Sequence, residues 1–254
     1  MVVIDPAKLE EEIKYLESHG INVRDNLKIA KNAHIITTLH KAQDGKDERI
    51  GTTRTGNGPA YRDKYARVGA RAADIPELYP FLIDIYEELS GDSTILMEGA
   101  QGFWLDPDWG DYPYVTSSHT GTAAAIQNGI NPRSIRNVWG IIKAYETYVG
   151  KRPFQPEEKV FERIQKVGQE FGATTGRVRQ CNWLNSREIR QAIDMNGVNR
   201  LVVNKMDVLR ELDAWGTTEG RIHGEEHFRR HIEDQFSPRL GIEKIYFSDN
   251  PRTI

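Results

Sequence analysis

Residues 201–207 read LVVNKMD, three apolar residues that run directly into the tetrapeptide NKMD. A short branched apolar run is typical of a strand buried on both faces, and open α/β sheets bind ligands beyond the carboxyl ends of such strands. The Asp207 carboxylate could accept hydrogen bonds from N1–H and the 2-amino group of guanine, whereas adenine has an unprotonated N1 there. The stem of Lys205 could cover the base. The stretch predicts an α/β fold with a guanine-binding loop; a chance four-letter match is the alternative.

A second stretch, residues 171–183 (FGATTGRVRQCNW), has the composition of an anion-binding loop. Arginine forks match carboxylate and phosphate oxygens, threonine hydroxyls add donors, and glycine allows close backbone approach. A helix with its buried face at Val160, Phe161, Ile164, Val167 and Phe171 is predicted before the loop, and a helix from Asn185 to Gly197 after it. A surface turn with solvated arginines is the alternative.

A third stretch, residues 51–71 (GTTRTGNGPAYRDKYARVGAR), is a basic, glycine-rich loop that runs into a short helix. Backbone N–H groups and hydroxyls in such a loop suit phosphate, although the chain contains no G-x-x-x-x-G-K-[ST] motif. A solvated loop is equally compatible. The remaining predicted elements are a strand at 2–4, a helix from the Asp5–Pro6 cap to Gly20, helices at 78–89 and 120–126, and strands at 94–97, 137–148 and 242–247.

Composition narrows the function classes. The 254 residues carry 28% charged and 38% apolar side chains and a formal charge of −3, which argues against broad capture of nucleic acid or membrane. The lone Cys181 excludes an intrachain disulfide and is expected to be a packed residue rather than a nucleophile. The spacing of His223, His227 and His231 could suit a metal, but a solvated helix face is favoured.

Six motifs together resemble one family. GTTRTGNGPAYRDKYAR, EGAQG, DYPYVTSS, GIIKAYETYVGKRPF, EFGATTGRVRQCNW and NKMDVL occur in the order and spacing of adenylosuccinate synthetase, and the resemblance covers nearly the whole chain. It implies that residues 1–254 form a single large α/β domain with a central, mostly parallel sheet flanked by helices. The expected fold is similar to that of the P-loop NTPases, with the first strand-loop-helix missing.

The resemblance also implies a GTP-dependent ligase that joins L-aspartate to IMP through a 6-phosphoryl-IMP intermediate and forms a homodimer. The lone cysteine favours a reducing, cytoplasmic location. By position, Thr53, Gln101, Thr116 and Arg177 match the family's IMP contacts, and Arg67 matches the arginine that reaches into the partner's IMP site. The aspartate-binding loop corresponds to Ala173, Thr174, Thr175, Gly176, Arg177, Val178 and Arg179. The GTP contacts correspond to Arg179, Lys205, Met206, Asp207, Ser248, Asp249 and Asn250.

The chain departs from the family pattern at several places. The family's N-terminal phosphate loop and Gly-His motif have no counterpart, so no catalytic residue or metal ligand is named and the ligands of Mg²⁺ are expected in a segment upstream. The polypeptide alone is therefore expected to show little or no turnover. The stretch from Arg71 to Thr94 is short, Gln180 replaces a usual arginine, and Asn250 replaces a usual glycine.

Two alternative functions are also compatible with the sequence. A related phage enzyme joins aspartate to dGMP and uses ATP, against which the NKMD stretch argues. The chain could also be a non-catalytic nucleotide-binding remnant.

Overall fold

The backbone contacts of the computed structural model divide the chain into two compact units, Met1–Ser134 and Ile135–Ile254. The structure describes residues 2–46, 49–89, 94–172, 176–237 and 241–250. Each unit is built around short parallel strand pairs and helices, so the predicted α/β class with mostly parallel strands is confirmed.

The first unit begins as the sequence predicts. Asp5 caps the first helix by accepting a hydrogen bond from the Lys8 N–H, and Pro6 is the first helical residue. Strand β1 pairs with β3 and β2 with β4, both in parallel. The elements are β1 (Val3–Ile4), α1 (Pro6–Ser18), β2 (Ile29–Ala30), β3 (His34–Ile35), α2 (Thr38–Asp44), α3 (Asn57–Ala66), β4 (Leu82–Ile83), α4 (Ile85–Leu89) and α5 (Ala123–Gln127), with 3₁₀ turns at Ala72–Asp74, Pro76–Phe81, Phe103–Leu105 and Pro132–Ser134.

The second unit contains a three-stranded parallel sheet in the order β11-β8-β5. The apolar residues of β8 and the inner faces of α6, α7 and α9 form its core, which includes Phe161, Ile193, Leu201 and Phe228. The elements are β5 (Trp139–Lys143), β6 (Glu146–Tyr148), α6 (Lys159–Val167), β7 (Gln180–Asn182), α7 (Ser186–Asn196), β8 (Arg200–Asn204), α8 (Met206–Leu212), β9 (Gly216–Thr217), β10 (Gly220–Arg221), α9 (Gly224–Phe236) and β11 (Lys244–Phe247). Strands β6 and β7, and β9 and β10, pair antiparallel.

Two strand predictions were wrong. The strand predicted at 137–148 is two strands, because β5 pairs in parallel with β8 whereas β6 pairs antiparallel with β7, and the buried Ala144 and Tyr145 join them. Residues 94–97 form no strand with any described residue, and Leu96 is 89% exposed. An apolar run becomes a strand only where a partner edge completes its hydrogen bonds.

The helix predictions also need correction. The helix predicted at 78–89 is a 3₁₀ turn containing Pro80, then β4, then α4, because proline lacks the N–H that a helix interior requires. Phe171 is 52% exposed rather than on the buried face of α6, since that helix ends at Val167. The helix predicted at 120–126 begins only at Ala123, and the last strand begins at Lys244.

Candidate functional site

Three parallel strands of the second unit end at one edge of their sheet. Lys143, the last residue of β5, is level with Asn204, the last of β8, and Val203 is level with Phe247, the last of β11. This carboxyl edge is where open α/β sheets bind ligands. The sequence prediction of a site after β8 therefore coincides with the position that the topology favours.

The edge brings together two stretches that lie more than 40 residues apart in sequence. Residues 248–250 follow β11 directly, and the Ser248 N–H donates to the Val203 carbonyl at 2.9 Å. The Ser248 carbonyl in turn accepts from the Met206 N–H at 3.4 Å. The predicted nucleotide contacts at 205–207 and 248–250 are thus neighbours, as one shared site requires.

Lys205 alone separates β8 from α8, and its backbone conformation is unusual. Lys205 adopts a left-handed backbone with φ of 63°, which a side chain disfavours, and its Nζ donates to the Gly168 carbonyl at 2.9 Å. Asp207 is exposed at the start of α8. Among the described residues, Asn204 Oδ1 is a buried acceptor with no hydrogen-bond partner. Such an acceptor is expected to receive a donor from a ligand or from water.

A buried carboxylate gathers two cations beside this loop. Glu170, with a side chain only 1% exposed, accepts from Lys143 Nζ at 2.9 and 2.7 Å and from the Arg179 guanidinium at 3.0 Å. The Tyr145 hydroxyl donates to the same carboxylate at 2.7 Å. Burial lowers the pKa of Lys143, and Lys205, whose Nζ donates to a backbone carbonyl, lies close enough for its charge to lower that pKa further. Three cationic side chains thus lie in this region, which favours an anion.

The partners of Glu170 decide its charge. Burial by itself would raise its pKa, but hydrogen bonds from Lys143 and Tyr145 and the charges beside it outweigh burial and hold the pKa below its usual range. Burial, followed by the bond to this carboxylate, raises the pKa of the Tyr145 phenol. Glu170 is therefore ionised, and Tyr145 is a neutral donor, at neutral pH.

The described part of the anion-binding loop is closed at its base. The Arg179 N–H donates to the Glu170 carbonyl at 2.9 Å, and the Gly172 N–H donates to the Arg177 carbonyl at 2.8 Å. Gly176 has φ of 63°, a conformation that favours glycine. Arg177 is half-buried and Val178 is exposed, while Ala173, Thr174 and Thr175 lie outside the described residues.

The other predicted contacts lie in the first unit. The Thr53 hydroxyl hydrogen-bonds to that of Thr55 at 2.9 Å, in a loop that Asp44 holds by accepting from the Gly56 N–H at 2.8 Å. The Thr116 N–H donates to the Leu105 carbonyl at 2.7 Å. Arg67, at the end of α3, and Gln101 are exposed and have positive φ angles of 65° and 64°.

Positive φ angles single out several predicted contacts. Six non-glycine residues of the described chain have φ in the left-handed region, and Arg67, Gln101 and Lys205 are three of them. Strained backbone of this kind concentrates at ligand sites. This strain is independent of the motif match and coincides with it at these three residues. The other three, which are not predicted contacts, are Arg54, Gln169 and Asp213.

Within the described residues, one group brings metal-binding atoms together: Asp106, Asp108 and His119. The two Asp106 oxygens already accept from the backbone N–H groups of Asp108 and Thr120 at 3.0 and 2.9 Å. Magnesium prefers near-octahedral oxygen ligands, so a histidine nitrogen and a carboxylate committed to its own loop do not fit it. The group closes the loop from 106 to 120 instead.

Gln180, a departure from the family pattern, has a structural role. Its amide donates to the Gly150 and Arg152 carbonyls at 3.2 and 2.8 Å and accepts from the Phe154 and Gln155 N–H groups at 2.9 and 3.3 Å. These four bonds use the amide's full capacity and hold the connection between β6 and α6.

Cys181 is a packed residue, as predicted, whereas the predicted solvated face of histidines at α9 is observed only in part. Cys181 is fully buried, and burial raises its pKa to about 12, which confirms a packed residue rather than a nucleophile. In α9, His227 is exposed and His231 shares a 3.3 Å hydrogen bond with Ser186.

Sequence reasoning assigned no role to Lys143, Tyr145 or Glu170. A lysine at the end of a parallel strand was the available signal for Lys143. Nothing local distinguished Glu170 from a solvated glutamate, because its partners Lys143 and Tyr145 lie 27 and 25 residues away.

The fold and this edge define an α/β protein with cationic side chains gathered near the carboxyl ends of its parallel strands. The family model of adenylosuccinate synthetase matches residues 1–82 and 76–226, and the chain belongs to that family. The two matched segments meet at 76–82, within the stretch that the sequence analysis predicts to be short. No helix among the described residues has the length and apolar character to cross a membrane.

Relatives and solved structures agree with this assignment. The chain is 38% identical to adenylosuccinate synthetase of Heliobacterium modesticaldum, over 83% of this chain and 62% of that protein, and 35% identical to that of Salinibacter ruber, over 95% and 71%. Fully ligated adenylosuccinate synthetase from Plasmodium falciparum has a TM-score of 0.76 at 30% identity, over 84% of this chain and 62% of that one. The chain thus spans a little over three fifths of the length of several relatives.

A phage enzyme shares the fold. Succinoaminodeoxyadenylate synthetase of cyanophage S-2L, bound to dGMP and dATP, has a TM-score of 0.66 at 22% identity, over 92% of this chain and 78% of that one.

Proposed function

We propose that this chain serves the GTP-dependent ligation of L-aspartate to IMP, which gives adenylosuccinate. The observation that carries the proposal is the carboxyl edge of β5, β8 and β11, where residues 205–207 and 248–250 are held together beside the cations around Glu170. Membership of the adenylosuccinate synthetase family supports the same reaction.

The proposed roles follow the chemistry of each group. Asp207, exposed beyond β8, accepts from N1–H and the 2-amino group of guanine, while the Lys205 stem covers the base and Arg179 receives a negatively charged group. Met206 and residues 248–250 complete the GTP contacts. Arg177 and the loop from Ala173 to Arg179, including Gly176 and Val178, receive the carboxylates of aspartate.

We assign IMP to Thr53, Gln101, Thr116 and Arg177, with Arg67 acting in the partner subunit of a homodimer. The left-handed backbone at Arg67 and Gln101 supports two of these assignments. We also propose that residues 1–254 form one domain and that the protein is cytoplasmic. A lone buried cysteine is compatible with a reducing compartment.

The reaction places clear demands on these groups. GTP phosphorylates the purine 6-oxygen, the aspartate amine then attacks C6, and phosphate leaves with the C–O bonding electrons. Guanidinium and ammonium groups hold the carboxylates and phosphates and keep the reactants aligned. No residue of this chain is assigned as general acid or base. Since Asp106, Asp108 and His119 do not fit Mg²⁺, no step is assigned to a metal here.

Calorimetric titration of the purified chain with GTP and with ATP tests the proposal. We expect a preference for GTP that Asp207→Asn reduces roughly 10- to 100-fold, since a hydrogen bond to a charged group contributes about 1.5–3 kcal/mol. Glu162→Gln, on the exposed face of α6, is the control. Tighter binding of ATP would favour the phage-type reaction, and binding of neither nucleotide would refute the proposal. Adenylosuccinate formation from IMP, aspartate and GTP, assayed on the same preparation, separates a ligase from a binding remnant.

A further inference from the structure

We infer that Glu170 is the positioning residue of the anion-binding loop: its buried carboxylate holds the Arg179 guanidinium and the loop base in the orientation that an anionic ligand requires. The inference rests on the proposed function only for the identity of the ligand, GTP. It concerns a residue that touches the loop and not the substrate.

The first support is that Glu170 holds both ends of the loop. Its carbonyl accepts from the Arg179 N–H at 2.9 Å while its carboxylate accepts from the Arg179 guanidinium at 3.0 Å. The backbone and the side chain of Arg179 are therefore both hydrogen-bonded to Glu170. The paired backbone of Phe171 and Val178 continues the closure outward. The orientation of Arg179 is therefore coupled to the loop base.

The second support is that the carboxylate is itself held from the protein interior. Lys143, at the end of β5, donates to both carboxylate oxygens and to the Thr147 hydroxyl, and Tyr145, 1% exposed, donates to Oε1. Lys143 is directly level with Asn204 in the sheet. Glu170 therefore ties the loop to the same strand edge that carries the loop after β8.

The third support is that the two carboxylate oxygens of Glu170 accept from different sets of donors. Oε1 receives Tyr145 and Lys143, whereas Oε2 receives Arg179 and Lys143. In Glu170→Gln one accepting oxygen becomes an NH₂ donor, which meets the Lys143 ammonium in either orientation of the amide and the Arg179 guanidinium in one of them. This substitution keeps the shape of the side chain and removes the negative charge that anchors the guanidinium.

Positioning and simple electrostatics predict opposite results for Glu170→Gln. Removing a negative charge beside an anion site should strengthen GTP binding if charge alone matters. Loss of positioning should weaken it, and we expect about 10-fold or more. Amide hydrogen exchange across residues 171–178, measured without ligand, should accelerate in the same variant. Glu162→Gln should change neither quantity, and circular dichroism checks folding.

Each outcome decides the inference. Weaker GTP binding together with faster exchange supports it, and unchanged exchange, or unchanged or tighter GTP binding, overturns it. If the wild-type chain binds no GTP, the proposed function fails, and hydrogen exchange alone decides whether Glu170 holds the loop. If Glu170→Gln does not fold, the double variant Glu170→Gln/Lys143→Met removes the cation that is left without its carboxylate. Hydrogen exchange across the loop then decides the inference, because loss of the Lys143 charge would by itself weaken the binding of an anion.

Discussion

Two glutamates of the second unit occupy opposite electrostatic environments although both are withdrawn from solvent. Glu170 lies among Lys143, Arg179 and the Tyr145 hydroxyl, and its pKa is lowered. Glu146, at the start of β6, has its pKa raised to about 7 by burial and then by the negative charge of Glu188. The Asn185 N–H, which donates to it at 3.1 Å, compensates only in part.

The difference shows that burial does not decide the charge of a carboxyl group; its partners do. Lys143 and Glu146 are three residues apart, but Lys143 ends β5 and points its ammonium at Glu170. A region with paired cations keeps its carboxylate ionised and suits ligand binding. In the Glu146 region the charge of Arg152 lowers the pKa less than burial and Glu188 raise it, so the group titrates near neutral pH.

The largest expected effect is on the Glu170 region. Glu170→Gln should lower the free energy of unfolding by about 3–5 kcal/mol at pH 7, because two cations then remain beside a neutral amide. Urea unfolding measures this. Glu162→Gln should shift the free energy by less than about 0.5 kcal/mol, and an equal loss in both variants would contradict the contrast.

The next effect is a pH dependence of the Glu146 region. Its pKa in the folded state, about 7, lies above the usual carboxyl value of 4.5. The stability contributed by the protonated carboxyl is therefore fully present below about pH 4.5 and is lost as the pH rises through 7. Glu146→Gln should exceed wild type by about 3 kcal/mol in unfolding free energy at pH 8 and match it at pH 4. A constant difference at both values, in urea titrations, would show that Glu146 does not titrate in this range.

A smaller effect is expected from Tyr145→Phe. The change removes one donor to Glu170 and leaves both cations, so we expect a loss of about 1–2 kcal/mol. The pKa of Glu170 is lower in the folded state than in the unfolded state, so the ionised carboxylate stabilises the fold when the pH is above the unfolded-state pKa of about 4.5. The loss caused by Tyr145→Phe should therefore shrink as the pH falls below that value. Urea unfolding at pH 7 and pH 3 tests this, and a loss that grows on acidification would argue against it.

The smallest effect is expected at the exposed cluster of Arg210, Glu225 and Asp249. Arg210 donates to Glu225 at 2.6 and 2.8 Å and to Asp249 at 3.0 Å. The hydrogen bond from Arg210 is the largest of the causes that lower the pKa of Glu225 to about 2. Arg210→Met should cost less than about 1 kcal/mol, because solvent screens these charges. The cost should fall at high salt; a loss as large as that of Glu170→Gln would remove the distinction between buried and exposed clusters.

Local features could be predicted from the sequence. The strand before NKMD, the Asp5 cap, the helix that opens at Asn185, the helix after the basic loop and the α/β class depend on residues close together in the chain, and these are observed. Family membership was also readable, because six short motifs in a fixed order are jointly specific.

The charged pairs, in contrast, could be identified only in the folded structure. Glu170 finds Lys143 27 residues away, and Lys205 reaches a carbonyl 37 residues away, so no local spacing reports either contact. The same holds for the break after β5 and for the exposed residues 94–97, since an apolar run becomes a strand only where a partner edge satisfies its backbone. Charge state and pairing depend on the neighbours that folding supplies, and those neighbours come from distant parts of the chain.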